Sequence, residues 1–307
     1  MRIVFMGTPD FAVPCLKSLA EKHEVVGVFT QPDKPKGRKM IMTPPPVKVI
    51  AEELSIPVFQ PVSVKNEESL KILKELNPDL IAVVAYGKIL PIEILNLPKY
   101  KCVNVHASLL PRHRGASPIQ WAIVCGDRET GVTTQLMAEG IDTGDILLQR
   151  KCEIYDSDNS QSLHDRLSHI GAEVLIETID GLLDERIVPI PQHEDGANYA
   201  PIIKKEMAQI DFTNSAAEII SKIHGFDPWP CAYFGLCGKR IKVYNAVKSE
   251  AIGESGVVLE NNGRLIIGCG DTSVELTDIQ PEGSKRMSAA DMLRGKRIEI
   301  GTHIEVI

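Results

Sequence analysis

Residues 102–115 read CVNVHASLLPRHRG, and the residue types best suited to chemistry are concentrated there. Val103 and Val105 alternate with Cys102, Asn104 and His106, the period of a β-strand, so Asn104 and His106 project side by side from one face. An amide and an imidazole held together can stabilise a developing oxyanion and move a proton. Pro111 and Gly115 punctuate the end of this strand. Downstream, GIDTGD at 140–145 is a polar turn that offers Asp142 as a carboxylate partner for the histidine. A lone histidine at a strand end is commonly a satisfied core residue, and an acid in a glycine-flanked turn often only satisfies backbone donors. Asn104, His106 and Asp142 taken together make an acid–base and oxyanion set that needs no metal.

The elements that must hold these residues follow from hydrophobic periodicity. An apolar run at 2–6 ends at Gly7-Thr-Pro-Asp10, where Thr8 or Asp10 can cap a helix over 11–20, and 25–29 reads as the next strand. Helices are predicted over 47–54 and 67–76, with a short strand at 57–59 between them. LIAVVA at 80–85 is apolar without alternation, which fits a strand covered on both faces. A helix over 119–124, strands over 132–137 and 146–154, and a long amphipathic helix over 162–183 complete a β–α alternation. The predicted fold class is therefore α/β, a Rossmann-like, doubly wound and mostly parallel sheet. A polar pair at the carboxyl end of one of its strands stands where such sheets deliver ligand contacts.

Residues 189–205 break the pattern with Pro, Gly, Asn and charge. They are read as a linker between a catalytic domain at 1–188 and a second domain at 206–307. Beyond a helix over 217–223, strand candidates at 232–236, 241–244, 256–259, 265–269 and 274–276 are short and separated by Gly or Asn. That spacing suggests a small β-barrel resembling an oligonucleotide-binding fold.

Composition bounds the remaining classes. The 307 residues are 43% hydrophobic and 24% charged, values of an ordinary globular protein. No apolar run reaches a membrane span, and the five-residue apolar run near the N-terminus is too short for a signal peptide. Seven cysteines without CxxC or zinc-like spacing read as buried hydrophobes in a reducing, cytoplasmic compartment. The net charge of -7 argues against non-specific coating of nucleic acid, although it is uneven. From residue 204 onward 13 Lys+Arg face 14 Asp+Glu, leaving 21 against 27 in residues 1–203. The chain has no GxGxxG, no GxxxxGK[ST], no GxSxG and no metal-spaced His/Cys set, so neither NAD nor a metal is expected.

Three further segments stand out. QPDKPKGRKMIMTPPPVK at 31–48 carries Lys34, Lys36, Arg38, Lys39 and Lys48 against one acid, Asp33. It reads as a structureless loop, either simply solvated or, as its length favours, gripping a polyanionic partner. YGKILP at 86–91 follows the 80–85 strand. Its backbone can bond a flat heterocycle while Ile89 and Leu90 pack on it, or it is an ordinary βα loop. FDPWP at 226–230, with Tyr233 and Phe234, offers either a base-stacking platform or, the better reading, core aromatics.

These segments, FMGTPDFAVPCL, VFTQPDKPKGR, VVAYGKILP, NVHASLLPRHRGASPI and GIDTGD, occur in an order and spacing that resembles the methionyl-tRNA formyltransferases. The resemblance continues through IDFTNSAAEI, FDPWP and MSAADML, covering essentially the whole chain. NxHxSLLPxxRG with a later Asp is shared by 10-formyltetrahydrofolate-dependent formyltransferases in general; QPDKPKGR, FDPWP and the second domain narrow it to the tRNA branch. Ala107 stands where many relatives have glycine.

The resemblance implies formyl transfer from 10-formyltetrahydrofolate to the α-amine of methionyl-initiator tRNA, in translation initiation. Asn104, His106 and Asp142 would then be the catalytic set. Ser108, Leu109, Leu110 and Pro111, with the backbone of Tyr86, Gly87, Lys88, Ile89 and Leu90, would line the folate site. Lys34, Lys36, Arg38 and Lys39 would grip the acceptor arm, and the barrel would follow the tRNA backbone. Asn104 and a protonated His106 would donate to the oxyanion, with Asp142 favouring the charged ring. Asp142, His106 or an ordered water are the candidate proton carriers. A monomer is expected because tRNA would span both domains. Two rivals share these features in part. One is a 10-formyltetrahydrofolate enzyme acting on a small amine, which has no need of the basic loop or the barrel. The other is a catalytically silent RNA-binding protein, which has no reason to keep the Asn–His–Asp set.

Overall fold

The computed structural model of the chain describes residues 1–37, 39–295 and 298–306. It divides into two compact units, Met1–Gly115 with Glu129–Glu153 and His164–Ala200, and Ala116–Arg128 with Ile154–Leu163 and Pro201–Ile307.

The chain opens with β1 (Arg2–Gly7), α1 (Val13–Lys22) and β2 (Glu24–Phe29). A single 3-10 turn precedes α1, and neither expected cap closes on it: Thr8 Oγ1 donates to Tyr86 O instead, and Asp10 Oδ1 accepts from the adjacent Phe11 N. Next come β3 (Lys34–Lys36), β4 (Ile41–Thr43), α2 (Pro46–Glu53), β5 (Val58–Phe59), α3 (Glu67–Leu76), β6 (Leu80–Val84) and α4 (Ile92–Leu95). β7 (Cys102–His106), β8 (Arg114–Gly115) and α5 (Pro118–Val124) follow, then β9 (Glu129–Leu136), β10 (Ile146–Glu153), α6 (Ser160–Leu183) and β11 (Tyr199–Ala200).

The main sheet has the order β10-β9-β7-β6-β1-β2-β5. Five of its strands, β5 through β7, are parallel, and β9 and β10 run antiparallel at one edge. All five residues of β6 are buried, as its unbroken apolar run requires. The chain leaves β1 toward β2 and β5 on one side and resumes with β6 and β7 on the other. The strand order therefore reverses between β1 and β6, where open α/β sheets form their ligand crevice.

The segment at 31–48 is not structureless. β3 and β4 pair antiparallel, Lys34 with Thr43 and Lys36 with Ile41, into a short ribbon. Periodicity misses it because β3 is exposed at every position and Met40, Ile41 and Met42 are exposed too, so no buried face leaves its mark. The ribbon is tied at its base, where Asp33 accepts from Lys48 Nζ at 3.0 Å and Gln60 Nε2 at 2.7 Å. Arg38 lies outside the described residues.

In the second unit, α7 (Ala216–Gly225) starts on a reciprocal cap: Ser215 Oγ accepts from Glu218 N, and Glu218 Oε2 accepts from Ser215 N. Then come β12 (Ala232–Leu236), β13 (Lys239–Ser249), β14 (Val258–Glu260), β15 (Leu265–Gly268), β16 (Ser273–Pro281), β17 (Met287–Ser288) and α8 (Ala289–Gly295). The sheet runs β12-β13-β16-β15-β14 with β17 on β16, all antiparallel. Ala216, Ile219 and Ile223, one stripe of α7, join Phe234, Val243, Leu265 and Leu276 in its core. Residues 301–305 then stitch the two open edges together: Gly235 exchanges both backbone bonds with Glu305, while Val258 N donates to Thr302 O and Ile304 N to Gly256 O. The outcome is a curled antiparallel half-barrel whose margins are bridged by a segment too short to be read as a strand. Phe226 and Phe234 are buried, as core aromatics should be, whereas Trp229 is exposed.

Candidate active site

β7 runs antiparallel to β9 with Asn104 opposite Gln135 and His106 opposite Thr133. This register turns the period-2 pattern into a four-residue polar patch beside the apolar β6. His106 is 6% exposed, Thr133 fully buried and Gln135 2% exposed.

Asp142 comes to this patch from the turn between β9 and β10. Its Oδ1 accepts from Gln135 Nε2 at 2.9 Å and lies 3.5 Å from Asn104 Nδ2 and 3.6 Å from His106 Nδ1; its Oδ2 accepts from Gly115 N at 2.9 Å. The other ring nitrogen of His106, Nε2, is 2.9 Å from His113 O. Both ring nitrogens thus face oxygen acceptors, and only a ring carrying both protons donates to both. Nε2 is engaged by His113 O, whereas Nδ1 at 3.6 Å and the Asn104 amide at 3.5 Å are both only loosely held by Asp142 Oδ1.

Asp142 has φ +54°, a left-handed conformation that Asp tolerates better than most residues. Gly144 lets the turn close, since a Cβ there would sit 1.7 Å from Leu136 O. Gly115 has φ +116° and a Cβ on it would meet Ala200 O at 2.7 Å. β8 and β11 pair there, Arg114 with Tyr199 and Gly115 with Ala200. That pairing aims the Gly115 N–H at Asp142.

Sequence reasoning missed the residues that hold Asp142. Gln192 Nε2 donates to Asp142 O at 2.8 Å and Gly144 O at 2.7 Å, and is 3.3 Å from Gln135 Oε1. Arg114 Nε donates to Gln192 Oε1 at 3.0 Å, and Asn198 Oδ1 accepts from His113 N. Gln192 and Asn198 both lie in the segment expected to be a linker. Only Gln135 left a signal, an amide within an otherwise strand-like TTQLM.

Ser108 to Pro111 follow β7 and are fixed by Thr133. Its hydroxyl donates to Ser108 O at 2.6 Å and accepts from Leu110 N at 3.1 Å and from Gln149 Nε2 at 2.9 Å. Ser108 and Leu110 are buried, and Leu109 and Pro111 are partly exposed. At the exit of β6, Tyr86 O accepts from Thr8 Oγ1 and from Gln31 Nε2 at 3.0 Å, and Lys88 Nζ donates to Pro61 O and Val62 O at 2.6 Å each. Burial pushes the Tyr86 phenol up to about 12. Ile89 and Leu90 take no part in the backbone hydrogen bonds of the described residues, and the Ile89 side chain is exposed over a buried Leu90. The backbone at Ile89–Leu90 is thus a strip without backbone partners among the described residues. Lys34, Lys36 and Lys39 are exposed on the β3–β4 ribbon and its turn.

Among the described residues, no group of three His, Cys, Asp or Glu side chains is placed to hold a metal, and no helix is long and apolar enough to cross a membrane.

The family pattern described as formyl transferase matches residues 1–179, and that of the formyl transferase C-terminal domain matches 202–297. A methionyl-tRNA formyltransferase of Caldanaerobacter subterraneus subsp. tengcongensis is 50% identical over 306 residues, covering 98% of this chain and 99% of that one. Its counterpart in Geobacter sulfurreducens is 46% identical over 306 residues, covering 99% and 96%. Among solved structures, HypX from Aquifex aeolicus in complex with tetrahydrofolic acid superposes with a TM-score of 0.63 at 20% identity. That match covers 99% of this chain and about half, 51%, of HypX, and likeness at this identity speaks to the fold alone.

Proposed function

The chain belongs to the formyl transferase family, and from that premise we propose that it moves the formyl group of 10-formyltetrahydrofolate onto the α-amine of methionyl-initiator tRNA. The observation that carries this reading is the convergence of Asn104, His106 and Asp142 beside the Ser108–Pro111 segment, in a chain that matches the tRNA enzymes end to end.

In this reaction the amine nitrogen attacks the formyl carbon, whose oxygen becomes an oxyanion. The bond from carbon to folate N10 then breaks as the amine loses a proton and N10 gains one. Asn104 Nδ2 donates to the oxyanion, and its distance of 3.5 Å from Asp142 leaves it little committed beforehand. His106 and Asp142 form the proton-handling pair, with His113 O holding the far side of the ring. The strip at Ile89–Leu90 and the Ser108–Pro111 segment take the folate. The β3–β4 ribbon, with Lys34, Lys36 and Lys39 beside exposed Met40, Ile41 and Met42, takes the acceptor arm. On the barrel, Arg240 lies 4.5 Å over the Tyr233 ring and Arg286 lies 4.1 Å over Tyr244, a basic and aromatic surface suited to the tRNA backbone. The enzyme acts as a cytoplasmic monomer.

The test is to offer labelled 10-formyltetrahydrofolate with either methionyl-initiator tRNA or glycinamide ribonucleotide. Label transferred to the tRNA alone is the expected result. Transfer only to the small amine refutes the tRNA assignment, and no transfer to either refutes the reading as a whole.

A further inference from the structure

Asp142 is a non-glycine residue in the left-handed region, and such a conformation persists where the surroundings over-determine it. Its carboxylate is met by Gln135 and Gly115, but those bonds locate the side chain and not the peptide units that carry it. The backbone on both sides of Thr143 is held by one group, the Gln192 amide, which donates to Asp142 O and to Gly144 O. The orientation of that amide is set from behind. Arg114, 8% exposed, donates its Nε–H to Gln192 Oε1, and a guanidinium can only donate, so the amide oxygen faces Arg114 and the NH2 faces the turn.

Gln192 is itself carried on a strap that is pinned at intervals. Ile190 exchanges backbone bonds with Ile146, Asn198 accepts from His113 N, and Tyr199 and Ala200 pair with Arg114 and Gly115. No pin on this strap donates to the Asp142–Gly144 turn other than Gln192, among the described residues.

We propose that Gln192 is the positioning residue of the reaction, holding the Asp142 turn so that the carboxylate meets His106 and Asn104. This rests on the formyl-transfer reading above. Gln192 touches neither substrate and acts through Asp142. A carboxylate displaced by about 1 Å costs on the order of 100-fold in rate, because its effect depends on geometry.

The test uses the full chain with two substitutions. Gln192→Glu keeps an oxygen for Arg114 but turns the donor toward the Asp142 and Gly144 carbonyls into an acceptor. Gln192→Met keeps the length and removes both functions. Both are expected to lower kcat by ~10-fold to 100-fold, with KM for folate and for tRNA each changed by less than about 3-fold. In an Asp142→Asn background, under single-turnover conditions, Gln192→Glu is expected to cost no further rate, since the residue it positions is already disabled. An unchanged kcat in either folded variant overturns the proposal. So does a loss confined to KM, which makes Gln192 a binding residue, or a full additive loss in the double variant. Variants that lose their thermal transition altogether overturn it also, by showing a purely structural role. The unsubstituted chain is the control: if it transfers no formyl group, the functional reading has failed and not the assignment of Gln192.

Discussion

Asp142→Asn is the most informative single substitution, because the structure determines in advance what asparagine cannot do. Both carboxylate oxygens accept hydrogen bonds, Oδ1 from Gln135 Nε2 and Oδ2 from Gly115 N, each at 2.9 Å. Whichever way an asparagine amide is turned, its NH2 points at another N–H. That turns a hydrogen bond to a charged group, worth about 1.5–3 kcal/mol, into a donor–donor contact. The lost charge adds a second effect. An asparagine cannot be the anionic partner that this carboxylate offers to His106, whose Nδ1 lies 3.6 Å away with both side chains largely buried. Losing that partner is expected to slow turnover by ~10²-fold or more, the usual loss for a positioned acid–base group. The assay is single-turnover formylation of methionyl-initiator tRNA, with thermal unfolding measured alongside. Turnover within about 10-fold of the unsubstituted chain, well short of that loss, refutes the assignment of Asp142 to the reaction.

Other parts of the structure make separate expectations. Thr133→Val preserves shape but strands the buried Leu110 N–H and Ser108 C=O, so it should destabilise the chain by about 2 kcal/mol or more, and an unchanged urea midpoint refutes that bookkeeping. Asp33 titrates below the ordinary carboxylate range because Gln60 and Lys48 hydrogen-bond its charged form; its hold on the ribbon is therefore complete above that range and lost as pH falls through the lowered value. Asp33→Asn should accordingly speed hydrogen exchange over residues 34–43 at neutral pH, with the difference from the unsubstituted chain vanishing at acid pH; equal exchange at neutral pH counts against the anchor. Lys36→Ala should weaken tRNA binding and reduce the slope of log affinity against log salt by about 1, with the KM for folate unmoved, and an unaltered slope detaches the ribbon from tRNA.

The sequence carries the candidate reacting groups more plainly than the groups that hold them. Asn104 and His106 are legible because a period-2 strand puts both on one face within three residues, and Asp142 because glycines flank it. Gln192 is invisible by the same logic. It lies between prolines and charges, where an amide looks solvated, and its partners are 48 and 50 residues away in the chain. Thr133 reads as an ordinary β-former, since nothing local shows that its hydroxyl serves three bonds at once. The β3–β4 ribbon is hidden for a different reason. A strand is recognised by its buried face, and this ribbon has none, so its lysines and Pro35 suggest a loop. The sheet was legible through β6, whose burial on both faces leaves an unmistakable apolar run. The barrel was legible in most of its strands and not in its closure, which rests on isolated pairs at residues 235 and 257.

That closure gives the barrel an order of assembly. Residues 301–305 pair with Gly235 and with the backbone around Val257, partners that leave the ribosome well before them. During synthesis the β14 margin, and the part of β12 beyond the Gln209–Tyr233 bridge, therefore spend an interval with backbone groups able to pair with a neighbouring nascent chain. Completion of the domain is timed by translation: an enzyme that belongs to protein synthesis has this fold sealed only once residues 301–305 have followed the strands they join.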